Sequence, residues 1–240
     1  MARPRYPASS GPLPPPLPPA ARTVGQLVAE SIRLYGRHFF LCLPLGLPVA
    51  IVDQLIVDRP VGERMVVLVA AAPLFSLAYA AACALRAGHA PPVTRWVVAV
   101  LVGTVTFLPA ALLFPWFALA AVVYLGAFGH AVPAVMAEGL APLASVRRSV
   151  ALGKADFVHA VGGLATLAVL FGLTRLVLGL LLRSQADNTL RVSIFLADVV
   201  ISPILFLGGA LLYVDQAARV GLTRGDRARA RSRAFGRPAE

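Results

Sequence analysis

The longest uncharged stretch of this chain, Trp96–Met136, is the feature that most constrains its fold. It has 41 residues and contains no Asp, Glu, Lys or Arg. As one straight helix it would be about 60 Å long at ~1.5 Å per residue, about twice the thickness of the hydrocarbon core of a bilayer. The stretch therefore has to reverse its direction. We expect the reversal at Leu113–Phe117, "LFPWF", because Pro115 breaks a helix and Trp116 is typical of the membrane interface.

Further apolar runs in the chain are long enough to cross a bilayer, namely Phe39–Val57, Met65–Leu85, Phe157–Leu182 and Val192–Val214. Together with the two halves of the long stretch, they predict an all-α, polytopic membrane bundle of six transmembrane helices. The composition agrees, since 14% of the residues are charged against about 25% in a soluble domain. Cys42 and Cys83 fall within these runs, so we expect two buried small side chains rather than a disulfide or a metal-thiolate site.

Polar segments flank this membrane domain, which we place at residues 23–221. Residues 1–22 contain eight prolines, which favour extended conformations, so we expect a disordered cytoplasmic tail there. A capping-box pattern at Thr23 and apolar residues at helical spacing then predict an amphipathic interfacial helix near 24–38. Residues 222–240 are expected to form a basic cytoplasmic tail.

The distribution of basic residues predicts the orientation of the chain. With both termini in the cytoplasm, the inner segments carry 17 Lys and Arg residues and the outer loops carry four. Cytoplasmic loops of membrane proteins collect such residues, so we expect a multi-pass protein of the bacterial cytoplasmic (inner) membrane with both termini inside. The net charge of +11 has the same explanation, and we therefore expect no nucleic-acid partner.

The segment Glu138–Phe157 interrupts the apolar pattern between the predicted fourth and fifth spans. Pro142 suits the first turn of a helix and Gly153 suits its end, which predicts a short amphipathic helix near 142–152. On the inner face of the membrane, basic side chains of this helix would reach anionic lipid headgroups, each contact being worth about 1 kcal/mol. The side chains expected to do so are Arg147, Arg148 and Lys154. The alternative interpretation is a helix that only anchors a loop.

The same segment carries a resemblance to a known bacterial family. "PAVMAEGLAPLASVRRSVALGKADF" is similar to the family's P-x-x-x-x-E-G-x-x-P-x-x-A-x-x-R-S pattern, and "ALLYVDQAAR" resembles its closing Y-x-D-x-R-x-R element. The family comprises the six-helix membrane domain attached to some glycerophosphodiester phosphodiesterases, together with stand-alone relatives of unknown function. The positions that carry the resemblance are Pro133, Glu138, Gly139, Pro142, Arg148, Ser149, Asp215 and Arg219.

This resemblance covers about residues 23–221 and implies the six-helix fold. It does not imply phosphodiesterase activity, because in the two-domain enzymes that activity belongs to a separate soluble barrel for which this chain leaves no room. The match also departs from the pattern near its end. Gln216 and Ala217 precede Arg219, so the first arginine of the closing element is missing.

Three ionisable residues, Asp53, Arg175 and Asp198, fall inside predicted spans, where charge is costly and often functional. Counting along the spans places all three at a similar depth in the outer leaflet, which is compatible with an Arg175–Asp198 ion pair. Such a pair would either hold spans five and six together or line a polar cavity for a lipid headgroup or an ion. Snorkelling of each side chain to the interface is a third possibility. For His130, we expect a helix-contact hydrogen bond rather than a proton relay.

The sequence contains no zinc-protease, phosphate-loop, dinucleotide-binding or serine-hydrolase motif, so we expect no catalytic activity, no metal and no cofactor. One hypothesis is an accessory or scaffold protein of the bacterial envelope that contacts anionic lipids and membrane-protein partners. The alternative is a transporter or lipid-handling module with a polar site at Asp53, Arg175 and Asp198. A third hypothesis is an intramembrane enzyme, against which counts the lack of a paired acid–base constellation in the sequence.

Overall fold

The computed structural model of this chain describes residues 17–222 and 225–226. Within these residues the fold is all-α, with a short 3₁₀ turn at Pro19–Ala21. The helices are α1 (Val24–Arg37), α2 (Phe39–Ile56), α3 (Val61–Ala87), α4 (Val93–Leu113), α5 (Ala118–Phe128), α6 (Ala131–Glu138), α7 (Pro142–Ala155), α8 (Phe157–Leu181), α9 (Asp187–Ile201) and α10 (Pro203–Arg219).

Among residues 17–222 and 225–226, six helical stretches are long and apolar enough to cross a membrane, as the sequence predicts. They are α2, α3, α4, α5 with α6, α8, and α9 with α10. The reversal inside the long uncharged stretch is also confirmed, because α4 ends at Leu113 and α5 begins at Ala118. The chain is therefore an integral, multi-pass membrane protein.

Two of the spans are broken near the middle, which the sequence analysis did not predict. α5 and α6 are separated at Gly129 and His130, and α9 and α10 at Ser202. A proline follows each break, at Pro133 and Pro203. Because proline has no N–H, it cannot bond to the carbonyl four residues earlier in a helix, and its ring clashes with that carbonyl. The sixth span is also longer than expected, running from α9 through the end of α10.

The six spans alternate in direction, so the connections lie on two opposite faces. We call the side that carries α1, the α3–α4 connection, α7 and the end of α10 the α7 face. The side that carries residues 57–60, 114–117 and 182–186 is the opposite face. An exposed ion pair between Arg191 and Asp58, 2.7 Å long, joins the first turns of α9 to the α2–α3 connection there.

The amphipathic helix α1 begins as predicted, with a complete capping box between Thr23 and Gln26. Its buried residues are Leu27, Ser31 and Tyr35, which recur every four positions and so share one face. This face packs on α8 and α10. The helix is thus attached to the bundle as well as amphipathic.

The helix α7 extends to Ala155, and the expectation that Gly153 ends it is wrong. Gly153 is buried within α7, where an added Cβ would lie 2.9 Å from the Cα of Ala127. Glycine at this position allows α7 to pack closely on α5 rather than terminating the helix. Ser149 supports the same contact, because its hydroxyl donates to the carbonyl of Ala127 at 3.1 Å.

Candidate functional site

The structure brings the three intramembrane charged residues Asp53, Arg175 and Asp198 together in what we call the Arg175 cluster. An Nη2 atom of Arg175 lies 2.6 Å from Oδ1 of Asp53, and its Nε lies 3.3 Å from Oδ1 of Asp198. The cluster thus joins α2, α8 and α9. The sequence predicts that Arg175 and Asp198 lie at compatible depths for an ion pair, and the structure adds Asp53 as the closer partner.

A close approach of α2 to α9 positions the two carboxylates. At Gly46 an added Cβ would lie 2.2 Å from the carbonyl oxygen of Val199, so only glycine fits there. In a continuous helix the carbonyl of Val199 would accept a hydrogen bond from the N–H of residue 203. Pro203 has no N–H, so it cannot make that bond. Asp53 lies seven residues after Gly46 and therefore on the same face of α2. Asp198 precedes Val199, so both carboxylates flank this crossing.

The two carboxylates differ in their surroundings. The side chain of Asp198 is completely buried, and within the described residues neither of its oxygens accepts a hydrogen bond. Asp53 is 11% exposed and Arg175 is 30% exposed in their side chains. A buried carboxylate without a hydrogen-bond donor is costly, and more so within a bilayer. The cluster therefore contains one strongly paired carboxylate and one weakly paired carboxylate.

The Arg175 cluster forms one wall of an otherwise apolar cavity of about 290 Å³, the Arg175 cavity. Both Asp53 and Arg175 line it. Its remaining wall is aliphatic and aromatic, with five phenylalanines: Phe75, Phe107, Phe114, Phe171 and Phe206. Small-molecule sites are typically concave, mostly apolar and furnished with a few convergent polar groups. The cavity has that composition.

A second cavity of about 230 Å³, the His130 cavity, adjoins the first. The two share walls at Phe107, Phe114, Ala121, Leu125, Leu205 and Phe206. His130, at the break between α5 and α6, lines the second cavity and is 1% exposed. Within the described residues, neither ring nitrogen has a hydrogen-bond partner. The expected helix-contact hydrogen bond of His130 is therefore wrong, and a buried polar group is left for a ligand or water in the cavity.

The cavities adjoin a groove along the exposed apolar side of α8, with which they share lining residues. The groove, of about 700 Å³, shares Phe171 and Arg175 with the Arg175 cavity and extends to Leu176 and Leu180, which are more than half exposed. The buried residues of α8 all precede Thr174: they are His159, Ala160, Gly163 and Leu167. The half of α8 that is nearer the opposite face is thus weakly packed, which leaves a lateral opening beside Arg175.

The residues of the family pattern do not line these cavities, and all of them except Pro133, which follows the break in the fourth span, lie toward the α7 face. Glu138 accepts hydrogen bonds from Arg148, at 3.0 Å, and from the hydroxyl of Tyr213. Gly139 ends α6 with a φ of +69°, a conformation that favours glycine. Pro142 is the first residue of α7, as predicted. The pattern therefore builds the corner between α6, α7 and α10.

The closing element belongs to a second buried network, the Asp215 cluster, which ties the start of the described chain to its end. Arg22 lies 2.6 Å from Asp215, whose side chain is completely buried, and His159 lies 3.4 Å from the other oxygen of Asp215. Arg219 contacts Asp156 at 3.0 Å and also donates to the carbonyl of Arg22. Despite the missing arginine, the element is thus ion-paired.

Arg22 also corrects the expected boundary of the N-terminal tail. The proline-rich sequence predicts a disordered tail over residues 1–22, but Arg22 is buried and follows the ordered turn at Pro19–Ala21. Residues 1–16 of the predicted tail lie outside the described residues, as do residues 223–224 and 227–240 of the predicted basic tail.

The three basic residues expected to contact lipid differ in their surroundings. Arg147 and Lys154 are exposed on α7, whereas Arg148 is partly buried and is paired with Glu138. Arg148 therefore has a structural partner, and Arg147 and Lys154 are the better placed of the three for contact with the membrane surface.

No group of three or more His, Cys, Asp or Glu side chains within the described residues is arranged to hold a metal ion. Comparison with protein-family models, with curated proteins and with solved structures finds no match to this chain. The features of the structure that bear on function are the cavities and the charges that line them.

Proposed function

We propose that this protein is a lipid-handling membrane protein that takes an amphiphilic ligand from the bilayer into the Arg175 cavity. The observation that carries the proposal is the position of Arg175. It lines both the cavity and the groove that opens to the bilayer, so one side chain borders the whole route. The polar head of a ligand would lie at the Arg175 cluster, and its chain would lie against the phenylalanines.

The dimensions and the openness of the site support an amphiphile rather than a water-soluble substrate. Together the Arg175 and His130 cavities fall within the range of roughly 300–1,000 Å³ that is typical of ligand sites. Their walls are mostly hydrocarbon, and the groove leads to the side of the bundle. A molecule dissolved in the bilayer reaches such an opening without crossing water.

A cavity-filling substitution tests this proposal. Ala121 lines both cavities and is 2% exposed, so Ala121→Phe would place a ring where the ligand chain is expected. We expect wild-type protein in nanodiscs to be labelled at cavity residues by a diazirine-bearing diacylglycerol, as mapped by mass spectrometry. Ala121→Phe is expected to reduce this labelling at least about tenfold, the effect of about 1.4 kcal/mol of binding free energy.

The control for this experiment is Leu74→Phe, which adds a similar ring on the exposed side of α3, where Leu74 is 46% exposed. It should leave cavity labelling unchanged. Labels confined to the outer surface of the bundle in wild-type protein would contradict the proposal. Equal labelling of wild type and Ala121→Phe would contradict it as well.

We also propose that the α7 face is cytoplasmic, in the bacterial inner membrane, and that Arg147 and Lys154 contact anionic lipid headgroups there. The distribution of basic residues supports this orientation.

The orientation is tested by Ala144→Cys on α7 and Ala186→Cys on the opposite face, both at exposed positions. A membrane-impermeant maleimide should label Ala186→Cys in intact cells and Ala144→Cys only in broken cells; the reverse pattern would overturn the orientation. Cys42 and Cys83 are buried, so they give little background.

A further inference from the structure

The charges of the Arg175 cluster do not balance. One guanidinium faces two carboxylates, and the described residues that line the two cavities and the groove include no other charged side chain. With all three groups ionised, the site carries a surplus of one negative charge. Within a bilayer, such a charge is costly unless a proton or a paired cation neutralises it.

The guanidinium of Arg175 has a second pairing position, next to the carboxylate of Asp198. The Nε of Arg175 already lies 3.3 Å from Oδ1 of Asp198, and both oxygens of Asp198 are free to accept hydrogen bonds from it. A small movement of the guanidinium toward Asp198 would satisfy that buried carboxylate. It would also release Asp53, which is the carboxylate that lines the Arg175 cavity.

The aromatic wall beside Asp53 suits a cation. Phenylalanine faces attract ammonium and guanidinium groups, and aromatic walls are a common way to bind quaternary ammonium ligands. Arg175 itself shows this contact, since its guanidinium carbon lies 5.6 Å from the ring centroid of Phe171. An anionic headgroup, by contrast, would approach Arg175 only beside two carboxylates, which would repel it.

We infer that the ligand of the Arg175 cavity is a lipophilic cation: a bilayer-dissolved amphiphile with an ammonium head that pairs with Asp53 while Arg175 pairs with Asp198. This inference rests on the proposed function, because it specifies the chemistry of the ligand at the same site. The chain of the ligand lies among Phe107, Phe114 and Phe206. The carboxylate of Asp53 gives a cationic amphiphile a higher affinity for the cavity than a neutral amphiphile of the same chain length.

The inference is tested by competition against the diazirine-bearing diacylglycerol in phosphatidylcholine nanodiscs at neutral pH. Three competitors share one chain length and differ in head charge: dodecyltrimethylammonium, 1-dodecanol and dodecyl phosphate. For wild-type protein, the cation should displace the label from the cavity at a mole fraction at least about tenfold lower than dodecanol requires. Dodecyl phosphate should be the weakest competitor.

Two isosteric variants locate the charge that is responsible. Asp53→Asn and Asp198→Asn each remove the surplus negative charge. In both variants, dodecyltrimethylammonium should therefore displace the label no better than dodecanol does, and dodecanol should still displace it. Retained displacement by dodecanol shows that the variant is folded and that its cavity is intact. Asp58→Asn removes an exposed carboxylate at the opposite face and should keep the wild-type order of competitors.

The possible failures are distinguishable. If the cavity is labelled but the cation and dodecanol compete equally, or dodecyl phosphate competes best, the inference is overturned and the proposed function stands. If Asp53→Asn and Asp198→Asn keep the advantage of the cation, the assignment to this cluster is overturned. If no cavity residue of wild-type protein is labelled, both the inference and the proposed function fail.

Discussion

Replacing Arg175 with leucine is expected to lower the yield of folded protein sharply. The substitution leaves Asp53 and Asp198 facing each other in the bilayer without a cation between them. Removing one partner of a buried ion pair costs roughly 3–5 kcal/mol, and the 30% exposure of the Arg175 side chain places this change toward the lower end. The measurement is the monodisperse fraction after solubilisation in mild detergent, together with the midpoint of thermal unfolding.

A neutral triple variant separates folding from ligand binding in this prediction. Arg175→Leu combined with Asp53→Asn and Asp198→Asn removes all three charges, so the folded yield should recover. If the Arg175 cluster only holds the spans together, as an accessory or scaffold role requires, the triple variant should also show wild-type labelling and competition. The proposed function instead predicts altered labelling, and the inference of a cationic ligand predicts in addition that the cationic competitor loses its advantage. Arg183→Leu, at an exposed position near the end of the same span, is the matched control.

Replacing Asp215 with alanine is expected to have a comparably large effect on stability, without any direct contact with the cavities. Asp215 is completely buried and is the 2.6 Å partner of Arg22, which is itself 7% exposed. The change leaves a buried guanidinium without its carboxylate, at a cost of roughly 3–5 kcal/mol. The midpoint of thermal unfolding in detergent should fall by several degrees.

The double variant Arg22→Met with Asp215→Leu provides the comparison. Replacing both partners of a buried pair by apolar side chains is often neutral or stabilising, so this variant should be more stable than Asp215→Ala alone. The control is Asp58→Ala, which breaks the exposed pair with Arg191 and should cost about 1 kcal/mol or less. A similar loss for Asp58→Ala and Asp215→Ala would contradict the structural role of the Asp215 cluster.

The membrane fold was largely predictable because hydropathy and length are properties of single segments. A helical run of 41 uncharged residues is about twice as long as the bilayer is thick, so it has to cross the bilayer twice, and Pro115 marks where it reverses. The breaks within the fourth and sixth spans were not predicted. Proline inside a membrane helix is often tolerated, as it is at Pro44 and Pro48 within α2, so its presence alone does not locate a break.

The candidate site was predictable in its charges but not in its shape. Asp53, Arg175 and Asp198 stand out because ionisable residues are rare within spans. The side chains that form the cavity beside them, such as that of Phe107, come from several helices. No periodic pattern within one segment of the sequence therefore indicates the cavity. Arg22 was missed for a different reason, since the neighbouring prolines favour disorder and its partner Asp215 is 193 residues away.

The most direct test of the central claim is a density map of the wild-type protein in nanodiscs that contain bilayer lipids and dodecyltrimethylammonium. We predict an elongated density within the Arg175 cavity, with its head between Asp53 and the phenylalanine rings and its chain reaching Phe206. Arg175 should then contact Asp198 more closely than it contacts Asp53. A cavity closed by packing of α8 against α9, or one that holds only water while amphiphile density surrounds the outside of the bundle, would contradict the claim.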